Sequence, residues 1–341
     1  MKIALLSGAY KNAGDFLIEK RCRALLQYCY PDAEISVLKR NDSFDGRIDE
    51  LNSYDLIVFG GGPGFRKNVY PNKIPFVSNI EEVKVPCCIL GWGWKEQSIN
   101  TALIYKKNYF GSKMYQFIKS MDDKKAVSCR DWYTKRMLDN QGFKNVRMTG
   151  CPAWYDIDVV NNLTYKGCSL AGKENPYIIV SDAAFPKNIK QTEKLISILR
   201  GIYPKARIKL LLHRGITSQN SYLTGKDIME KYGYECEDIS GSVDGFSQYD
   251  ECDLHIGFRV HAHIYNLSHG NTTILINEDA RGFGVNDALG LPNIVIDKYL
   301  DKTVEDAIEY VVTTKGNCYN NAASNMKNYF GEMTEYIKGL L

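Results

Sequence analysis

CDLHIGFRVHAHIYNLSHGNTTILINED, residues 252–279, reads as a buried strand, a helix and a second buried strand. Val260, Ile264 and Leu267 recur at helical spacing and give the middle of the stretch one apolar face. That helix needs no polar group in order to pack. Yet three histidines and an arginine crowd between His255 and His263. Polarity surplus to folding, placed where a strand passes into a helix, marks a candidate site.

The same alternation extends in both directions. KIALLSG, EISVLKR, DLIVFGGG, VPCCILGWG, AVSCRD and VRMTG are β-rich runs separated by helical patterns, one from about Asp15 and one near Met114. A polar, irregular stretch from Val160 to Asn175 interrupts the rhythm, and the domain hinge is expected there. PYIIVSD, ARIKLLLHR, YECEDIS, CDLHIGFR, TTILINED and NIVIDK then resume it. Strands alternating with helices predict parallel βα units. The expected fold is α/β, with two facing Rossmann-like, doubly wound domains over residues 1–160 and 175–320. Met326, Phe330, Met333, Ile337 and Leu340 give residues 321–341 the pattern of an amphipathic helix that packs back on the protein.

Composition narrows the function. Lys and Arg total 43 against 40 Asp and Glu, with no basic run beyond a doublet, which argues against nucleic acid as a partner. The ten cysteines show no CxxC pair or metal-ligand rhythm, so a reducing cytoplasm and no metal are expected. MKIALLSGAY lacks the form of a signal peptide, and no apolar run reaches the roughly 18 residues of a membrane span. A cytoplasmic protein, at most peripheral to the membrane, is the expectation.

In doubly wound sheets ligands bind beyond the carboxyl ends of strands, so the residues there carry the functional reading. After the first strand, Gly8 and Gly14 permit close turns, and Asp15 serves equally well as a helix cap or a ligand contact. Gly60, Gly61 and Gly62 free backbone amides for an anion, with Arg66 and Lys67 just beyond; no GK[ST] follows, so this is not a Walker loop. Gly91, Gly93 and Lys95 repeat the device, and Trp92 and Trp94 either stack on a sugar or fill the wall between domains. Asp131 is placed as an N-cap, which leaves Arg130 for bidentate recognition of a carboxylate or phosphate, or for a surface salt bridge.

Arg259 and His261 lie about 200° apart around a helix and can share a ligand only at its first turn, where free amides and the dipole also favour an anion. His263 and His255 read as structural. Arg281, in the loop after the next strand, adds a second cation. On this reading several cations converge and few carboxylates do.

Taken together these residues resemble the polysaccharide pyruvyl transferase family. The shared pattern is Gly14-Asp15, Gly60-Gly61-Gly62, Ser128 to Asp131, Arg259 to Ala262, and Asp279 to Arg281, in family order over nearly the whole chain. Two departures stand out: Cys151 precedes Pro152 where the family has aspartate, and the basic residue of the last motif is Arg281.

The resemblance implies a two-Rossmann fold like that of GT-B glycosyltransferases. It also implies transfer of pyruvate from phosphoenolpyruvate to two hydroxyls of one sugar, forming a ketal in a capsular or other exopolysaccharide or its lipid-linked precursor. Phosphoenolpyruvate is then a co-substrate, no separate cofactor is expected, and contact with the inner membrane face follows if the acceptor is lipid-linked. In these roles His261 carries the proton; Arg259, Arg130, Arg281, Gly61, Gly62 and Arg66 hold phosphoenolpyruvate; Asp15, Trp92, Trp94 and Lys95 meet the acceptor. A nucleotide-sugar-dependent glycosyltransferase of the same architecture, or a non-catalytic glycan-binding relative, would use the same glycines and cations. The sequence names neither the acceptor sugar nor the linkage, ketal stereochemistry or oligomeric state.

Overall fold

The computed structural model describes residues 1–95, 104–296 and 299–341. Two six-stranded parallel sheets run through these residues. The first contains β1 (Lys2–Ser7), β2 (Glu34–Lys39), β3 (Leu56–Phe65), β4 (Cys87–Trp94), β5 (Val127–Cys129) and β6 (Arg147–Met148), in the order β2-β1-β3-β4-β5-β6. The second contains β7 (Tyr177–Ser181), β8 (Arg207–Leu212), β9 (Tyr234–Asp238), β10 (Leu254–Gly257), β11 (Thr273–Asn277) and β12 (Ile294–Val295), in the order β12-β11-β10-β7-β8-β9. The α/β expectation therefore holds. Asp297 and Lys298 of NIVIDK, and Glu96 after Lys95, lie outside the described residues.

Burial explains the patterns read from sequence. The central strands β3, β4, β10 and β11 are covered on both faces and consist mostly of apolar residues and glycine. The edge strand β2 is largely exposed to half-buried and mixes charge with aliphatic residues. In each sheet the strand order reverses once, between β1 and β3 and between β7 and β10. A crevice opens at such a switch point beyond the carboxyl ends.

The chain divides into two compact units, and the division corrects the expected boundaries. One unit holds residues 1–9, 18–158 and 326–341; the other holds 10–17 and 159–325. Residues 160–174 thus belong to the second unit and do not form a separate hinge segment. The helix Ala13–Cys29 starts in the second unit and ends in the first, and the helix Cys318–Lys338 does the same. In its later part Met326, Phe330, Met333 and Ile337 are buried. There Tyr336 donates to the Ile89 carbonyl at 3.0 Å, and Arg147 pairs with Glu332 at 2.8 Å. Leu340 lies beyond the last helical residue.

Candidate active site

The second unit concentrates its buried charge at the β7/β10 switch point. Gly257, the last residue of β10, has no room for a side chain: a Cβ there would stand 2.4 Å from the Ser181 carbonyl oxygen. This close approach lets Ser181 Oγ accept the Arg259 backbone N–H at 3.1 Å. Arg259 is the N-cap of the helix Val260–Ser268, and its side chain offers no acceptor to the helix amides. Its side chain turns to β7 instead. Nε donates to Asp182 Oδ1 at 2.7 Å and Nη2 to Asp182 Oδ2 at 2.5 Å, while Nη2 also reaches the Ala183 carbonyl at 3.3 Å. Nη1 has no protein partner among the described residues. Burial works to lower the Arg259 pKa, but the charge and hydrogen bonds of Asp182 outweigh it and the net shift is upward.

His261 lies in the first turn of this helix and is half-buried. Its ring rests on Gly14, where a Cβ would fall 2.2 Å from Nδ1. The spacing of Gly14-Asp15 and of Arg259 to His261 thus brings two distant motifs into one place. Asp15 sits in the first turn of Ala13–Cys29, not at its cap, because the helix begins two residues earlier.

Arg281 belongs to the next strand end. It occupies the first turn of the helix Ala280–Leu289, not a loop, and its Nε donates to both oxygens of the N-cap Asp279, at 3.0 and 2.8 Å. Glu278 beside it accepts from the amides of Ala184 and Phe185 at 2.7 and 3.3 Å and from Asn188 Nδ2 at 2.8 Å. Desolvation nevertheless raises its pKa. Across β7, the His213 amide donates to Asp182 Oδ1 at 3.1 Å. The His213 imidazole is fully buried; Nε2 meets Tyr249 Oη at 2.7 Å and Nδ1 has no hydrogen-bond partner among the described residues. Burial first, and then the charge of Arg259, hold it well below the usual histidine range.

His255 and His263 are structural, and their tautomers follow from the donors around them. Asn286 Nδ2 donates to the Pro292 carbonyl, so Asn286 Oδ1 is an acceptor and His263 Nε2, 3.0 Å away, carries the proton. His263 Nδ1 then accepts from Thr273 Oγ1 at 2.9 Å, and Thr273 Oγ1 accepts from His255 Nδ1 at 2.7 Å. His255 Nε2 in turn accepts from Ser181 Oγ at 2.9 Å. With both rings neutral, each link has one donor and one acceptor. Burial enforces this, driving His255 well below its ordinary value and His263 down to about 3. The chain ends on the hydroxyl that receives the Arg259 amide.

The other residues singled out in the sequence belong to the first unit. Gly60, Gly61 and Gly62 lie inside β3, not in a loop, and Gly60 and Gly62 pair with Leu90 and Trp92. A Cβ on Gly61 would meet Ile18 at 2.5 Å, so this backbone is packed by its own neighbours. Gly91 and Gly93 likewise lie inside β4, and the Gly91 amide donates to Ser128 Oγ at 2.8 Å. Trp92 is fully buried and touches Phe59, Phe65 and Phe117; Trp94 is 3% exposed. Neither indole offers a face to a sugar, which corrects the stacking expectation. Lys95 is half-buried at the end of β4 and Arg66 is exposed. Asp131 caps its helix through Thr134 N at 2.7 Å, as expected. Arg130 is no surface cation: it is buried, with Nε 3.1 Å from Asp131 Oδ2 and Nη2 3.4 Å from the Trp94 carbonyl.

One expectation fails. Three of the four arginines expected to bind ligand, Arg259, Arg130 and Arg281, already face an aspartate, Asp182, Asp131 and Asp279 in turn, so carboxylates do accompany the cations. Asp182, Ser181, His213 and Glu278 were missed, although all four close or directly follow a strand. The signal was the aspartate of PYIIVSD, which stands where ligands bind and has no helix immediately after it to cap.

The sequence profile described as polysaccharide pyruvyl transferase matches residues 12–279, a span that includes every residue of the β7/β10 cluster. No curated protein matches the sequence significantly. Solved structures match by fold. UDP-GlcNAc 2-epimerase from Neisseria meningitidis, bound to UDP-GlcNAc, is 11% identical over 98% of this chain and 99% of its own, with a TM-score of 0.56. S. aureus MnaA with UDP is 12% identical over 98% and 94%, TM-score 0.56. HepE from Anabaena, in complex with UDP and glucose, is 12% identical over 98% and 97%, TM-score 0.53. These likenesses establish the GT-B class of fold.

Proposed function

We propose that this chain, which belongs to the polysaccharide pyruvyl transferase family, moves pyruvate from phosphoenolpyruvate to two hydroxyls of one sugar. The observation that carries the reading is the helix mouth at the β7/β10 switch point, where a buried, oriented arginine and a half-buried imidazole share one first turn. Phosphoenolpyruvate presents a phosphate and a carboxylate, and both are ligands for guanidinium N–H groups and helix amides.

In the proposed reaction one sugar hydroxyl adds to the enol carbon while a proton goes to the methylene carbon, which becomes the methyl group. The second hydroxyl then displaces phosphate at the same carbon. One hydroxyl proton ends on carbon and the other on phosphate, so the products are the ketal and inorganic phosphate. His261 is the proton carrier. Arg259 Nη1 and the Nη groups of Arg281, which have no partner among the described residues, hold the donor's oxyanions. For Arg130, Gly61, Gly62 and Arg66, donor contact is a separate proposal tested by substitution, as acceptor contact is for Asp15 and Lys95.

No separate cofactor is assigned, since the donor brings its own leaving group. Among the described residues no helix is long and apolar enough to cross a membrane. The proposed place of action is the cytoplasm, at the membrane's inner face if the acceptor is lipid-linked.

The test is phosphate release by purified protein given phosphoenolpyruvate and a panel of pyranosides. Release that needs both supports the reading. Protection against thermal unfolding by a nucleotide sugar, with no such release, would favour glycosyl transfer instead.

A further inference from the structure

We propose that Asp182 is the positioning residue of this site, fixing which edge of the Arg259 guanidinium meets the donor. The donor's identity rests on the reading above; the geometry does not. A guanidinium offers two forked edges to a carboxylate or phosphate. Asp182 occupies the Nε/Nη2 edge completely, and the Ala183 carbonyl takes the other hydrogen of Nη2. What remains is Nη1, one group in one direction.

The clamp has two points. Ser181 Oγ holds the Arg259 main chain and Asp182 holds its side chain, so two consecutive residues at the end of β7 fix Arg259 across the switch point. Asp182 cannot follow a guanidinium drawn toward a ligand. It is 2% exposed, and Oδ1 is also tied to the His213 amide.

This arrangement forgoes net charge. A buried carboxylate against Arg259 cancels most of the field that an anion would feel, so what the pair supplies is an aimed N–H donor. The two possible roles of Asp182 therefore predict opposite signs. If it only neutralises Arg259, removing its charge tightens anion binding. If it positions Arg259, removing its charge weakens binding.

The experiment is a calorimetric double-mutant cycle on the full chain, with phosphoenolpyruvate and inorganic phosphate as separate probes. Asp182→Asn should raise the dissociation constant roughly 30-fold or more, the range for breaking a buried charge pair at a binding site. In an Arg259→Ala background the same change should shift affinity less than about threefold. Equal or tighter binding by Asp182→Asn, or an equal loss in both backgrounds, overturns the proposal. If Asp182→Asn does not melt cooperatively, Asp182→Glu replaces it in the cycle, with a smaller loss expected that again vanishes without Arg259. Wild type that binds phosphate but not phosphoenolpyruvate refutes the donor assignment alone, and the phosphate cycle still decides Asp182. Binding of neither probe overturns both.

Discussion

The two sheets are built alike and filled differently. Both contain six parallel strands whose order reverses once, yet the first switch point, between β1 and β3, is lined by glycine and aliphatic packing. There Gly61 backs onto Ile18, and Arg40 lies over Gly8 and donates to the Gly61 carbonyl at 3.4 Å. The second, between β7 and β10, gathers Asp182, Arg259 and His261 with His213 behind them. Topology provides a crevice in each case. Side chains decide which one can do chemistry, and the fold alone assigns it to neither.

The largest expected effect tests that asymmetry directly. His261→Ala should lower kcat by about 10² to 10⁴-fold, the range for loss of a general acid or base, and should leave phosphoenolpyruvate affinity within a few-fold. Steady-state kinetics with a direct binding measurement separates the two, and unchanged kcat removes His261 from the mechanism. A change in the first unit should behave in the opposite way. Trp92→Ala empties a fully buried site and should cost about 3 to 5 kcal/mol in urea unfolding, with donor affinity preserved in the folded fraction. Selective loss of acceptor binding without destabilisation would restore a sugar contact for this indole.

Acid should weaken the second unit through its buried histidines. His213, His255 and His263 are held neutral when folded, with pKa values depressed by burial, and are free to protonate when unfolded. Their contribution to stability is full above about pH 6.5. It declines as pH falls through the window down to the folded values, about 3 for His263. Each histidine adds a slope of about 1.4 kcal/mol per pH unit within its window. His263→Gln should flatten the dependence by one such slope between pH 6 and 4 in urea titrations, and an unaltered slope would contradict the neutral assignment.

Gly14→Ala should have the smallest effect. The added methyl meets the His261 ring and should lower kcat about 10-fold by displacing it, an ångström-scale misplacement of a reacting group. Alanine in place of helical glycine otherwise favours the helix by up to about 1 kcal/mol. Activity and intrinsic helix preference thus pull in opposite directions at one residue, and full activity in this variant would separate Gly14 from the site.

The sequence made the strands and one site legible for different reasons. Buried parallel strands such as LIVF and TILIN declare themselves by apolar runs, and Arg259 and His261 stood out because a packing helix has no use for them. The glycines misled because a glycine run reads as a loop, whereas here β3 and β4 continue through it. The tryptophans misled because an indole's chemistry is the same in a core and in a sugar site, and only its neighbours tell the two apart. Asp182 was missed because its meaning lies in a partner 77 residues away. No local pattern encodes that pairing. The unit boundaries eluded the sequence for a related reason: two helices pass between units without any break in their periodicity.

The most direct test of the central claim is a crystal structure of the protein with phosphoenolpyruvate bound. The account predicts donor density at the helix mouth after β10, with an oxyanion on Arg259 Nη1 and the His261 ring facing the methylene carbon. Ordered donor at the β1/β3 end of the first sheet, with no density on Arg259 Nη1 or beside His261, would contradict it.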